Sequence, residues 1–406
     1  MKLPVLIAGG GPVGLFAALL LGRAGIPVRL FDLNERPQND PRAATTHPGT
    51  LEVLGQAGLV EDMARVGLVA PIFQFWDRPS GRKVAEFDHG LLTGLTPYPF
   101  VIQCEQFKTA QLILERLREL DTVEINYGHE VVGAEQDETG ASLRVRGPAG
   151  EQTHRGAWLI GADGGRSLVR KSAGIAFDGF TWPERFIVLT TPFDFEAERG
   201  YCPRSYFADP DEWCNCFKVS ADGPPGLWRT VFPTDPALSE DALMSDAAVQ
   251  ARLQRFFPSS TPYEVVHRNL YVTHQRVAAS FRSGRILLAG DAAHVNNPIG
   301  GMGLNGGLQD AANLVEKLTA VIGGADERLL DLYDLQRRTV ATEFVQTASI
   351  GNKKRLEERD SVVRARNLEE LTQIAADPAR AVQFMQNSAM LASQRRAASM
   401  TLQEAA

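Results

Sequence analysis

Short apolar runs and amphipathic stretches alternate from the start of the chain. Residues 3–8 are almost wholly apolar, as in a parallel strand buried on both faces, and residues 13–22 read as a helix. A second strand is predicted over 28–31, ending at Asp32, so residues 1–70 open as a β-α-β unit. Residues 71–99, rich in Pro, Gly and aromatics, predict strands and loops. A helix follows over 106–120, then strands over 123–145 around a Gly-rich turn, and a strand over 157–160. From residue 175 the texture changes. Strand-like runs at 186–195, 204–207, 214–219, 227–232 and 263–267 predict an antiparallel sheet, crossed by a helix over 246–257. A strand over 285–289 returns to the first unit. The rest is mostly helical, over 304–322, 330–348 and a charged series from 353 to 397. The sum is an α/β fold with an inserted sheet and a helical tail.

Three segments that each follow a strand carry the candidate chemistry. The first reads Gly9-Gly10-Gly11-Pro12-Val13-Gly14, a G-x-G-x-x-G between strand and helix, with Asp32 closing the second strand. Gly9 permits the tight turn, and Gly11 lets the backbone approach a pyrophosphate. Gly14 lets the helix pack on the strand, and Asp32 can accept hydrogen bonds from a ribose. The second segment is Gly161-Ala162-Asp163-Gly164-Gly165-Arg166-Ser167, where Asp163 can serve a sugar-like hydroxyl or orient an arginine. The third runs from Gly290 through Asp291, His294, Pro298 and a glycine cluster into a helix. There an Asp at a strand end and free N–H groups at a helix start suit an electron-rich ligand.

Residues 3–21 carry no charge, which raises a signal peptide or membrane span as a competing reading. Four glycines among them, three consecutive and followed by Pro12, would interrupt a spanning helix, and that reading is rejected. Net charge is −7 over 406 residues with no dense basic run, which argues against a nucleic-acid partner. Cys104, Cys202, Cys214 and Cys216 lack zinc spacing, so no metal site is expected and the cysteines read as reduced thiols of a cytoplasmic protein. There is no redox C-x-x-C and no second dinucleotide fingerprint, as a flavin disulfide reductase would need. Nor is there a W-x-W-x-I-P segment of the flavin-halogenase kind.

In this order and spacing the three segments resemble the class A flavoprotein aromatic hydroxylases, the para-hydroxybenzoate hydroxylase family. The match spans residues 3 to about 318 and is specific at Gly9–Gly14, at Asp163-Gly164 and at Gly290-Asp291. The resemblance implies a Rossmann-like FAD-binding domain over 1–70, 100–175 and 276–325. It implies a substrate-binding β-sheet domain over 71–99 and 176–275 and a helical C-terminal region over 326–406. It also implies FAD as cofactor, NADH or NADPH as transient reductant, and transfer of one oxygen atom from O2 through a C4a-hydroperoxyflavin. The substrate would be an electron-rich aromatic or N-heteroaromatic ring, met in the catabolism of such compounds.

By the same resemblance Asp291 holds the ribityl chain, and Pro298 with residues 300–303 lines the pocket beside the flavin ring. The helix start at Gly303, Leu304 and Asn305 would stabilise reduced flavin's negative edge by roughly 1 kcal/mol. Arg42 and Gln103 match positions that contact flavin or its phosphates. Pro298 and His47 are the catalytic candidates, His47 as base or relay, although a capping role suits that histidine equally. His294 reads as structural, bonding backbone near the pyrophosphate. Arg166 is a candidate for receiving the nicotinamide cofactor, with a surface ion pair as the alternative. For substrate, strand alternation puts Cys214, Cys216 and Lys218 on one face and Asn215, Phe217 and Val219 on the other. Tyr201, Tyr206, Cys216 and Arg229 are the candidate contacts, with Arg204 or Arg229 suited to pair a carboxylate. The tail is expected to pack or to form a homodimer.

Three other readings use the same residues. An epoxidase or Baeyer–Villiger oxygenase shares the scaffold. A flavin-binding protein without turnover would keep Asp163 and Asp291. A plain NAD-dependent dehydrogenase explains only Gly9–Gly14.

Overall fold

The computed structural model describes residues 3–39 and 43–403; Arg42 lies outside the described residues. The strands Val5–Ala8, Val28–Phe31, Val123–Asn126, Trp158–Gly161 and Ile286–Leu288 form a parallel sheet, with Arg282–Ser283 antiparallel at one edge. Val5–Ala8 lies near its centre, paired to Trp158–Gly161 on one side and Val28–Phe31 on the other, and all four of its residues are buried. A strand covered on both faces needs an unbroken apolar run, which explains the pattern read there.

The register of this sheet brings the distant motifs together. Ala8, Phe31 and Gly161 pair at its carboxyl end, with Leu288 opposite Gly161. Gly9, Asp32, Asp163 and Asp291 therefore leave neighbouring strand ends, where an open α/β sheet forms its binding crevice. The helix Pro12–Arg23 starts there with Pro12 in its first turn, and packs beside the helix Met302–Ile322.

An eight-stranded sheet carries the inserted region. Its core is the strand Phe177–Thr191, antiparallel to both His267–Ala278 and Leu227–Pro233. Cys214–Val219 and Arg204–Ala208 extend it, and the hairpin Ile72–Asp77 with Arg82–Asp88 closes the edge, Ile72–Asp77 running parallel to Arg204–Ala208. The run expected as a strand over 263–267 is corrected by the structure. Tyr263 anchors a loop through its hydroxyl to the Phe257 carbonyl (2.5 Å), and the strand begins at His267. Likewise the strand expected to 195 ends at Thr191, and Phe195 opens the short helix Phe195–Arg199.

Each face of this sheet has its own core. One face packs Ile187, Phe207, Cys214, Trp228 and Phe232 against Val249, Leu253 and Phe256 of the helix Asp246–Phe256. The opposite face packs Phe73, Phe75, Phe87 and Tyr206 against Leu356, Leu368, Leu371 and Met385 of the C-terminal helices. The helical tail thus covers half of the sheet instead of standing apart. Among the described residues no helix is long and apolar enough to cross a membrane.

Candidate active site

The glycine-rich turn is built by close approach. Gly9 has φ +103°, a region open to glycine, and a Cβ there would overlap the Ala162 carbonyl oxygen. A Cβ on Gly14 would overlap the Gly9 carbonyl oxygen, so helix and strand cannot accept a side chain between them. Gly11 differs: a Cβ there would meet no protein atom within 4 Å, so this side of the turn faces open space. Pro12 and Val13 are half-buried in the first helical turn, and a Cβ on Gly307 of the facing helix would lie 2.6 Å from Val13 Cγ2.

The acidic residues divide their work. Asp32 braces the turn, accepting from Gly10 N at 2.6 Å through Oδ2 and from Asn34 N and Nδ2 at 2.8 Å through Oδ1. Asp163 Oδ2 caps the helix Leu168–Ser172, accepting from Leu168 N at 2.8 Å and Val169 N at 3.1 Å. Its Oδ1 is buried without a protein partner. Asp291 stands exposed on the 3-10 turn Gly290–Ala292. Arg170, just after the second segment, joins it to the third. It donates to Ala292 O (2.8 Å) and Gly165 O (3.0 Å) and lies 3.8 Å from the Phe177 ring centroid. Arg166 is exposed. A buried carboxylate oxygen left open beside a glycine cradle that a Cβ would fill suits a dinucleotide with sugar hydroxyls, so these residues fit FAD.

At the other end of the crevice, the turn after Pro298 closes with Gly301 N donating to Pro298 O (3.0 Å), and the long helix begins at Met302. Gly303 and Leu304 are half-buried in its first turn. The Asn305 side chain is committed internally: it donates to Thr45 O (2.7 Å) and Gly301 O (2.6 Å) and accepts from His47 N (2.8 Å). Its role is to hold the strand Thr45–Thr46 against the helix start. Gln103 Oε1 accepts from Thr45 Oγ1 (2.8 Å), while its Nε2 is buried without a partner. Gln275 and Asn297 hold the Pro298 turn from behind. Asn297 N and Nδ2 donate to Gln275 Oε1 (3.1 and 3.2 Å), and Gln275 Nε2 donates to Ser349 Oγ (2.8 Å).

Between that turn and the sheet lies a small pocket, open on one side to solvent. Phe75, Arg204 and Tyr206 come from the sheet, Gly300 and Met302 from the turn, and Phe384 from the C-terminal helices. Of the four substrate candidates, only Tyr206 reaches the pocket, stacked on Phe75 at 5.1 Å. Tyr201 and Cys216 belong to the core on the opposite face of the sheet. Arg229 is buried 4.0 Å from Glu105 and does not line the cavity. Phe73, Asn352, Phe384 and Ser388 line the cavity and were not read from the sequence.

Two histidines stand near the cavity's cation. His47 is fully buried, with Nε2 2.7 Å from Gly300 O and Nδ1 unpartnered. His89 is bonded through Nδ1 to Pro71 O (2.7 Å), and its Nε2 is unpartnered. Burial first, then the Arg204 charge, holds His47 well below the usual imidazole range and pushes His89 down to about 4. Both rings are neutral at pH 7. The nitrogen bonded to a carbonyl carries the hydrogen, and the other is an acceptor.

Behind the third segment is a buried ion-pair network around Asp310. Asp310 Oδ2 accepts from His294 Nε2 (2.8 Å) and Gly290 N (3.1 Å), and Oδ1 accepts from Arg337 Nε (2.6 Å). The His294 side chain was expected to bond backbone; its partner is this carboxylate.

Comparison with known proteins agrees with the geometry. A family model described as an FAD binding domain matches residues 2–348. The chain is 37% identical over 389 residues to para-nitrophenol 4-monooxygenase of Pseudomonas sp. strain WBC-3, covering 94% of each chain. It is 35% identical to 6-hydroxy-3-succinoylpyridine 3-monooxygenase HspB of Pseudomonas putida strain S16, covering 88% of this chain and 89% of that one. The crystal structure of p-nitrophenol 4-monooxygenase PnpA from Pseudomonas putida DLL-E4 superposes with a TM-score of 0.89. It is 35% identical, and the match covers 95% of this chain and 96% of that one.

Proposed function

Because this chain belongs to the FAD-dependent aromatic hydroxylase family, we propose that it uses NADH or NADPH and O2 to hydroxylate a single-ring phenol or hydroxypyridine. The observation that carries this reading is the pocket between the Pro298 turn and the aromatic face of the sheet, beside the strand ends that carry the three segments. The names of the nitrophenol and hydroxypyridine relatives support the same substrate class. We assign the reaction to the cytoplasm and to the breakdown of such compounds.

FAD, when bound, supplies the hydride acceptor and the activated oxygen. The protein's own part is positioning and protection. Backbone N–H groups at the Gly9–Gly14 turn and the helix dipole of Pro12–Arg23 would hold the pyrophosphate. Asp32 would meet the adenosine ribose, and Asp163 Oδ1 and Asp291 the ribityl hydroxyls. The first turn of Met302–Ile322, at Gly303 and Leu304, would place the positive end of a long helix dipole against the flavin's anionic edge. The unpartnered Gln103 Nε2 offers that edge a further donor. Pro298 shapes the ring-side wall. His47, neutral and an acceptor at Nδ1, is suited to take a hydrogen bond from a ring hydroxyl more than to store a proton.

Water must be kept from the reacting centre, and Phe384 is the tail's contribution to that seal, stacked on Phe87 at 4.7 Å. Phe384→Ala is expected to divert reducing equivalents to hydrogen peroxide, raising the peroxide-to-product ratio several-fold while flavin stays bound. An unchanged ratio in a folded variant would contradict oxygenation in this cavity.

A further inference from the structure

The helix Thr347–Glu357 follows a segment, Val340–Gln346, that is wound in the π manner. Each π hydrogen bond spans five residues where an α bond spans four, so the helix beyond it is rotated about its axis. Gln346 pins the junction, its Nε2 donating to Val295 O at 3.0 Å. The face turned inward carries Ser349, Asn352, Lys353 and Leu356, the spacing of one helical stripe. An inward stripe is ordinarily apolar, yet only Leu356 is so here. Inward polar groups need partners, and two of the three have them. Ser349 Oγ accepts from Gln275 Nε2 (2.8 Å), and its carbonyl accepts from Asn297 Nδ2 (3.1 Å). Lys353 Nζ pairs with Glu184 (2.6 Å) and Glu357 (2.5 Å) and lies 4.2 Å from the Trp182 ring centroid.

Asn352 is committed at one end only. Its Oδ1 accepts from Arg355 Nη1 (3.2 Å). A guanidinium can only donate, so this bond fixes the amide with its oxygen toward Arg355 and its nitrogen toward the pocket. Among the described residues Nδ2 donates to no acceptor, and it stands 3.1 Å from where a Cβ on Gly300 would lie. Ser388, which lines the same pocket, already donates its hydroxyl to Met385 O (3.2 Å).

On the proposed reading of the pocket as the substrate site, we propose that Asn352 is a specificity-determining residue. Its Nδ2 receives an uncharged acceptor oxygen on a ring substituent, of a carbonyl or a nitro group, at the turn end of the pocket beside Gly300. A ring that enters takes the amide's N–H groups out of water. A substituent without an acceptor leaves them unpaired, which costs more than the hydrogen bond itself contributes. Selectivity then comes as much from rejecting alkyl-substituted rings as from holding oxygenated ones. Arg355 is a positioning residue that keeps the donor end of the amide inward.

The test titrates the FAD-loaded enzyme without reductant, so that binding, read from flavin absorbance, is separate from turnover. The buffer is acid enough to keep every phenol protonated, which removes charge from the comparison. 4-Hydroxyacetophenone is set against 4-ethylphenol, and 4-nitrophenol against 4-isopropylphenol, each pair alike in shape. The wild-type enzyme should bind the oxygenated member of at least one pair about tenfold tighter, and the pair that responds tells carbonyl from nitro. Asn352→Leu should bring that ratio near one by two opposite movements. The oxygenated ring binds more weakly, and the alkyl ring binds more tightly because no donor is left to be stripped of water. General damage to the pocket would weaken both alike. Arg355→Met should lower the ratio part-way with the alkyl ring unmoved.

A wild-type ratio near one in both pairs would overturn the proposal, even if the variants fail to fold. A folded Asn352→Leu that keeps the wild-type ratio would also overturn it; if flavin affinity fell instead, the amide would belong to the cofactor. The oxygenase reading fails separately. Acceptor-selective binding without any substrate-stimulated NAD(P)H oxidation would count against that reading and leave the Asn352 subsite standing. Turnover with no preference between the members of either pair would do the reverse.

Discussion

Asp310→Ala is expected to cost about 3–5 kcal/mol of stability, because removing one partner of a buried ion pair leaves the other charge buried and uncompensated. The Arg337 side chain is 3% exposed and that of Asp310 is fully buried, so water cannot replace the lost carboxylate. The same change strips the acceptor from His294 Nε2 and from Gly290 N, loosening the turn that presents Asp291. Thermal or denaturant unfolding at pH 7 measures it, and a midpoint equal to wild type would show that the network is dispensable. The pH dependence carries a sign. Burial alone would raise the Asp310 pKa, but His294 and Arg337 together outweigh it and hold the carboxyl below its usual value. A depressed folded pKa contributes stability above the unfolded value of about 4, lost as pH falls through the lower folded value. The gap between wild type and Asp310→Asn should therefore be full at neutral pH and shrink only below about pH 4.

Gly14→Ala is expected to yield protein that purifies nearly colourless. The new methyl would overlap the Gly9 carbonyl oxygen, which is backbone and cannot rotate aside. Helix Pro12–Arg23 must then retreat, carrying the N–H groups of its first turn away from the pyrophosphate. Gly11→Ala provides the contrast. Its methyl meets no protein atom within 4 Å, so the fold should survive with a wild-type melting midpoint while flavin affinity falls. Flavin-to-protein absorbance ratios and melting curves for the pair separate the two effects. A Gly14→Ala protein that stays yellow with an unchanged midpoint would remove the close approach from the account.

What could be read from sequence was what depends on neighbours in the chain. The run Val5–Ala8, the glycines behind it and Asp32 form one continuous unit whose spacing is itself the signal. Strand His267–Ala278 escaped because its residues alternate between polar and half-exposed apolar side chains, so no apolar run marks it. Alternation along Cys214–Val219 separated two faces correctly but carried no information on which one meets the flavin. The cavity side holds Tyr206 and, across from it, Asn215, while Cys216 and Tyr201 lie beneath. Phe384 and Leu356 looked like ordinary amphipathic-helix residues, because covering a sheet or a partner subunit requires the same apolar face. Asp310 did leave a trace, as a lone carboxylate among Leu308, Ala311 and Leu314 on the buried stripe of its helix. Its partners lie 16 to 27 residues away, beyond the reach of any local pattern.

The measurement that bears most directly on the oxygenase reading is oxidation of NADH and of NADPH by the FAD-loaded enzyme, with and without a panel of phenols, aminobenzoates and hydroxypyridines. Hydrogen peroxide and hydroxylated product are quantified in the same reactions. The account predicts that a single-ring phenol or hydroxypyridine strongly stimulates oxidation by one of the two nucleotides, with product well in excess of peroxide. A flavin-loaded protein whose oxidation no ring compound accelerates, or whose reducing equivalents all appear as peroxide, would contradict it.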